Sequence, residues 1–136
     1  MPGRIAVALI SFLPLLASAA DWQFVADTRL GQLKLDTASV SKEGNYTAAV
    51  LVYSFKSLQR LTTPPNPVFN RRQDDLLVDC VHSKLGVHSS SFFEDEKLAG
   101  KYTLEAEKIR FNPAGPGSMA EKVVKAVCAV APKSKP

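Results

Sequence analysis

Across residues 22–111 apolar side chains recur at every second position in short runs, and after residue 118 the spacing changes to three and four. Period two puts side chains on alternating faces of a strand, whereas a period near 3.6 draws one stripe along a helix. Residues 22–26 (WQFVA) therefore predict a first strand. Leu33 and Leu35, alternating with Gln32 and Lys34 after a turn at Gly31, predict a second. Asp36-Thr37-Ala38-Ser39 is rich in side chains that bond their own backbone and predicts a turn, as does Glu43-Gly44-Asn45. Residues 46–55 (YTAAVLVYSF) are apolar on both faces and free of proline, the pattern of a central strand covered on each side.

Residues 56–73 interrupt the alternation. Pro64, Pro65 and Pro67 lack the amide donor of a ladder, so the segment is expected as an extended, proline-stiffened loop. Strand character returns over residues 76–82, with Leu76, Val78, Cys80 and His82 on one face. A turn at Gly86, a strand over 87–93, a solvated turn at Glu94-Asp95-Glu96 and weaker strands over 101–104 and 108–111 follow.

The PAGPG run at 113–117 stops the strand pattern. Ser118 with Glu121 three residues later is a capping box, and Val123, Val124, Val127, Cys128 and Ala131 form the stripe of a helix from Met119 to the stop at Pro132. The fold class expected is α+β: an antiparallel sheet of about six strands, curved or sandwich-like, with one C-terminal helix packed on a face.

The first twenty residues have a different character. Arg4 is their only charge, an apolar run covers 5–16, and small residues close the segment at 17–20. This is the layout of a secretory signal peptide. Twelve apolar residues fall short of the roughly 20 that span a bilayer, so no transmembrane segment is expected after cleavage. The organisation expected is a signal over 1–20, a single domain over 21–132 and a disordered tail over 133–136. Without Arg4 the 17 basic residues become 16 against 13 acidic, a net charge of +3.

Export changes the meaning of the two cysteines. In an oxidising compartment Cys80 and Cys128, each on an apolar face, predict a disulfide between a strand and the last helix. The alternatives are two reduced structural thiols, or a redox pair, for which the 47 intervening residues are the wrong spacing.

Catalytic chemistry finds little support. His82 and His88 near Cys80 lack a matching carboxylate for a metal site. Ser89-Ser90-Ser91 has no nucleophile elbow, and nothing distinguishes the environments of Asp74, Asp75 and Asp79 as acid/base work requires. No catalytic residue, metal or cofactor is expected, and the chain is read as a non-enzyme. Charge is more informative. Lys56, Arg60, Arg71 and Arg72 lie in a stretch without an acidic residue, which carries +4 and leaves −1 on the rest of the mature chain. They are the candidate ligand-binding residues, for an acidic protein or glycan. Nucleic acid is not expected, since the run has no interleaved aromatics.

Trp22, Asp36-Thr37-Ala38-Ser39-Val40, Gly44-Asn45 before the long apolar strand, Asp79-Cys80, and the Pro-rich turn leading through Ser118 to Val127-Cys128 occur in an order that resembles the bacterial surface-adhesin protein E family. The resemblance covers 22–128. It implies a small exported domain whose sheet and C-terminal helix are tied by a disulfide at Cys80 and Cys128, at the outer surface or in the periplasm of a Gram-negative bacterium. It implies an adhesin that binds host matrix proteins. The expected function is thus a non-catalytic exported binding protein for host or envelope macromolecules, contacting them through the basic loop and the sheet face left free by the helix. A periplasmic inhibitor of a lysozyme-type hydrolase and a structural envelope subunit are the alternatives.

Overall fold

The computed structural model describes residues 20–133, so the expected signal lies outside the described residues. Six strands run as an antiparallel meander in chain order: β1 (Trp22–Asp27), β2 (Gly31–Glu43), β3 (Tyr46–Arg60), β4 (Val68–Asp79), β5 (Lys84–Glu94) and β6 (Lys97–Thr103). A two-residue strand, β7 (Asn112–Pro113), pairs with the start of β5, and one helix, α1 (Met119–Cys128), follows. The architecture is a single sheet with a helix on one face. No helix among the described residues is long and apolar enough to cross a membrane.

The helix forms where its caps and stripe put it. Ser118 Oγ accepts from the amide of Glu121 at 3.2 Å, the N-cap half of the capping box. The reciprocal arm is absent. Glu121 takes a hydrogen bond from Lys125 (3.0 Å) and another from the Gly117 amide, which together hold its carboxyl below the usual range. Val123, Val124 and Val127 are buried on Ala26, Leu33, Leu35, Val40, Ala49, Leu51, Leu76 and Val78. Burying each valine is worth about 1.5–3 kcal/mol. The helix ends at Cys128, before the expected stop at Pro132. Lys133 bonds Val40 and Lys42 of β2 through its backbone, and residues 134–136 of the expected tail lie outside the described residues.

Several expected boundaries move. The turn at Asp36–Ser39 is a bulge inside one long β2, where the register shifts between Asp36 and Ser41. The local hydrogen bonding is present: Asp36 Oδ1 accepts from Ala38, and Ser39 Oγ donates to the Asp36 carbonyl. Ser39 Oγ also accepts from the Val50 amide of β3, so the ladder absorbs the irregularity rather than breaking. The loop expected over 56–73 is a hairpin, with Lys56 and Arg60 in β3, Arg71 and Arg72 in β4, and only 61–67 between. The prolines remove donors at the tip, where no ladder exists, and four residues of β3 bulge between the pairs Ser54–Arg71 and Gln59–Phe69. Gly86 lies inside β5, where a Cβ would come within 2.7 Å of Ile109 and 3.1 Å of the Arg110 carbonyl. Residues 108–111 form no strand.

The β4–β5 turn occupies 80–83, so Cys80 and His82 are turn residues rather than strand residues. Asp79 organises this turn. Its Oδ1 accepts from the amides of Val81 (3.1 Å) and His82 (3.0 Å), and Oδ2 lies 2.8 Å from His82 Nδ1. The His82 amide is the largest cause that holds the Asp79 carboxyl below its ordinary value. Beside it Cys80 and Cys128 form the disulfide, with Cα atoms 5.8 Å apart, and both cysteines are exposed.

Two predictions follow from this arrangement. Closing a loop of 48 residues restricts the unfolded chain by about 4 kcal/mol. Cys80→Ser/Cys128→Ala, or reductant without denaturant, is expected to lower the thermal midpoint by about 15 °C. An unchanged midpoint would remove the tether from the account. The lowered pKa makes ionised Asp79 a stabilising group, fully effective above its ordinary value and lost as pH falls through its lower folded value. An NMR titration should therefore place its midpoint below that of an unperturbed aspartate; a midpoint at or above it contradicts the assignment.

Candidate functional site

Adjacent strands carry their side chains in register, so the two sheet faces can be read row by row. On the helix face Leu35, Leu51, Asp74, Ser90 and Tyr102 form one row, and Leu33, Tyr53, Arg72, Phe92 and Gly100 the next. The helix covers the leucine end. Beyond it an aromatic chain Tyr53–Phe55–Phe69–Phe92–Tyr102 fills the face, with ring centroids 4.3 to 5.9 Å apart. Asp74 is buried there, accepting from Arg72 Nε (3.1 Å) and Ser90 Oγ (2.7 Å). Arg72 also lies over the Tyr53 ring.

No element covers the middle of the opposite face. The chain after β6 crosses only its far end, where Phe111 stacks on Tyr46 at 4.7 Å and residues 109–111 close over Gly86. Three rows remain open. The first is Trp22, Asp36, Val50, Asp75, Ser89 and Thr103; the second Phe24, Lys34, Val52, Gln73, Ser91 and Lys101; the third Asp27, Gln32, Ser54, Arg71, Phe93 and Leu98. Expecting β3 to be covered on both sides was therefore wrong for this face. Val52 is 6% exposed without an element above it. Its cover is a ring of long side chains, Trp22, Lys34 and Arg71, which with Ser54 line a cavity of about 180 Å³.

Arg71 is the best-placed group on this face. Its guanidinium lies 4.2 Å above the Phe93 ring, a cation–π contact that holds the planar fork in place, and its Nε is buried without an acceptor. Lys34 and Lys101 are exposed and form no ion pair among the described residues. Of the two rows holding these three cations, the only carboxylate is Asp27 at the outer end.

The four basic residues singled out in the sequence do not converge. Arg71 joins the open face, Arg72 turns to the helix face to neutralise Asp74, and Lys56 and Arg60 lie on the outer hairpin beside the exposed Leu58. Arg60 bonds the Asn66 carbonyl at 3.3 Å. Lys34, Lys101, Trp22 and Phe93 were missed as site residues. Their signal was the alternation itself, since each is an outward position of its strand, but pairing is needed to align them. The candidate acids also separate. Asp74 and Asp75 lie on opposite faces, Asp75 accepts from Ser89 at 2.5 Å, and Asp79 ends β4 and bonds into the turn. No three His, Cys, Asp or Glu side chains among the described residues are grouped to hold a metal.

The neighbouring arginines should respond differently. Arg72→Ala leaves buried Asp74 without its cation and is expected to destabilise by about 1–3 kcal/mol in urea unfolding. Arg71→Ala loses a ring contact and is expected to cost less than about 1 kcal/mol. Equal losses would mean that the face assignment is wrong.

The family model described as surface-adhesin protein E matches residues 22–129. Solved structures with the same fold include Haemophilus influenzae protein E in crystal form II, at 12% identity and TM-score 0.56 over 84% of this chain and 94% of that one. Another structure of H. influenzae protein E gives 13% identity and TM-score 0.56 over 84% and 91%. Protein E from non-typeable H. influenzae gives 10% and 0.55 over 82% and 79%. No curated protein matches the sequence. With its family model matched over nearly the whole described chain, and with the strand meander and disulfide-tied helix in place, this protein belongs to the surface-adhesin protein E family.

Proposed function

We propose that this protein is an exported, non-catalytic binding protein of the bacterial surface, and that it lays its open sheet face on an acidic macromolecule. Family membership supports the adhesin role. The observation that carries the contact surface is the placement of Lys34, Arg71 and Lys101 on alternate strands β2, β4 and β6, with Trp22 and Phe24 beside them on β1 and Phe93 on β5. Backbone ladders hold these side chains in place, so binding orders little chain and loses little entropy. The first row faces the other way electrostatically, with Asp36 and Asp75, and so fixes which part of the face an anion occupies.

Charge-led association weakens as salt screens it. Affinity for an acidic partner is expected to fall by at least about tenfold between 50 and 300 mM salt. Lys34→Ala/Arg71→Ala should reduce it comparably at low salt. Salt-insensitive binding, or binding untouched by the double substitution, would exclude this face. On intact cells the protein is expected to be open to added protease; protection would favour a periplasmic inhibitor or an envelope subunit.

A further inference from the structure

The shape of the basic strip narrows the partner. Two rows occupy about 7 Å along the strands, and six strands spread over about 24 Å across them. The cationic rows thus form a ribbon about 7 Å wide and 24 Å long, with the longer dimension across the strands. The ribbon has the width of one extended polymer and runs perpendicular to the strands. From Lys34 to Lys101 its cations cover about 19 Å, with Arg71 midway. The carboxylates of Asp36 and Asp75 bound it on one side, so an anion on the strip has little room to spread.

Its chemistry is mixed at every step. The cavity of about 180 Å³ offers Trp22 as an apolar wall, Val52 as a floor, the Ser54 hydroxyl, and Lys34 and Arg71 as cations. At about 30 Å³ each, some six waters fill that volume, the bulk of one substituted six-membered ring. Arg71 carries a buried Nε without an acceptor, so the site holds more donors than its own residues satisfy. Trp22 and Phe24 are 44% and 55% exposed and lie two residues apart on the open face of β1, beside Lys34. Cations on β2, β4 and β6 beside the exposed rings of β1 match a polymer that carries both anionic groups and flat apolar faces. A pyranose chain bearing sulfates or carboxylates carries both in each repeating unit.

We propose that the ligand of this face is a linear acidic polysaccharide laid across the strands, with its anionic groups on Lys34, Arg71 and Lys101 and a sugar ring in the cavity beside Trp22. This inference rests on the reading of the open face as the contact surface.

Trp22 is the only tryptophan in the chain, so its fluorescence reports from the site. The mature protein would be titrated with size-defined heparin oligosaccharides, a sulfated linear polysaccharide, and in parallel with poly-L-glutamate of matched charge. Heparin is expected to shift Trp22 emission and to bind at least about tenfold more tightly than polyglutamate. Arg71→Ala and Lys101→Ala should each weaken heparin several-fold, and Lys122→Ala on the exposed side of the helix should not. Equal affinity for the two polymers, with both lost in Arg71→Ala, would overturn the polysaccharide and keep the contact surface. Absence of a Trp22 response to either polymer would overturn both. Heparin binding that Arg71→Ala and Lys101→Ala leave unchanged, with their thermal midpoints intact, would overturn the placement.

Discussion

A single-layer sheet has two faces, and this chain has one helix to cover them. That constraint organises the molecule. Three valines of α1 settle on the leucine-rich half of one face, and the Cys80–Cys128 bond closes the helix onto the end of β4. A ten-residue helix is too short to be stable alone in water. Its order comes from this packing, and the packing from the tether and from the backbone bonds of Lys133 with β2. The uncovered face has to remain soluble by its own side chains. It does so by placing lysine, arginine, serine and glutamine at the outward positions and by roofing Val52 with long amphipathic stems.

The parts readable from sequence were those set by neighbours along the chain. The valine stripe, the Ser118 cap and the strand cores of β1 and β3 depend on residues a few positions apart, and each appeared where its pattern put it. The disulfide was readable from the expected export, whereas the apolar placement expected of its cysteines was not found: both are exposed, and Cys80 is in a turn. What escaped depends on pairing between distant segments. Prolines at 64, 65 and 67 affect only the tip, because Lys56 still donates its amide to the Leu30 carbonyl and Arg60 still faces Val68. The turn chemistry of Asp36 and Ser39 was correctly recognised, yet Val50 on the neighbouring strand turned it into a bulge.

The proposed contact surface was the least readable part for the same reason. Arg71 and Arg72 look like one basic feature when written in line, but period two sends them to opposite faces, where one rests on Phe93 and the other neutralises Asp74. Lys34 and Lys101 are 67 positions apart and share a row only because four intervening registers align. Two of the steps between β1 and β6 contain irregularities close to this row, at Phe24/Ala26 and Phe92/Phe93. A slip of one residue in any strand would send its charge to the helix face.

The same irregularities bear on why the open sheet remains a surface rather than a seed for further strands. Unpaired edges at β1 and β6 invite another chain to extend the ladder. Each edge pair carries a bulge, β1 ends on Asp27, and the seven residues of β6 include Lys97 and Lys101. Charge and bulging both discourage edge pairing. Because Lys101 is also one end of the cationic strip, the residue that helps guard the edge extends the proposed contact face to the last strand. The curb on self-association and the reach toward an anionic ligand thus meet in one exposed lysine.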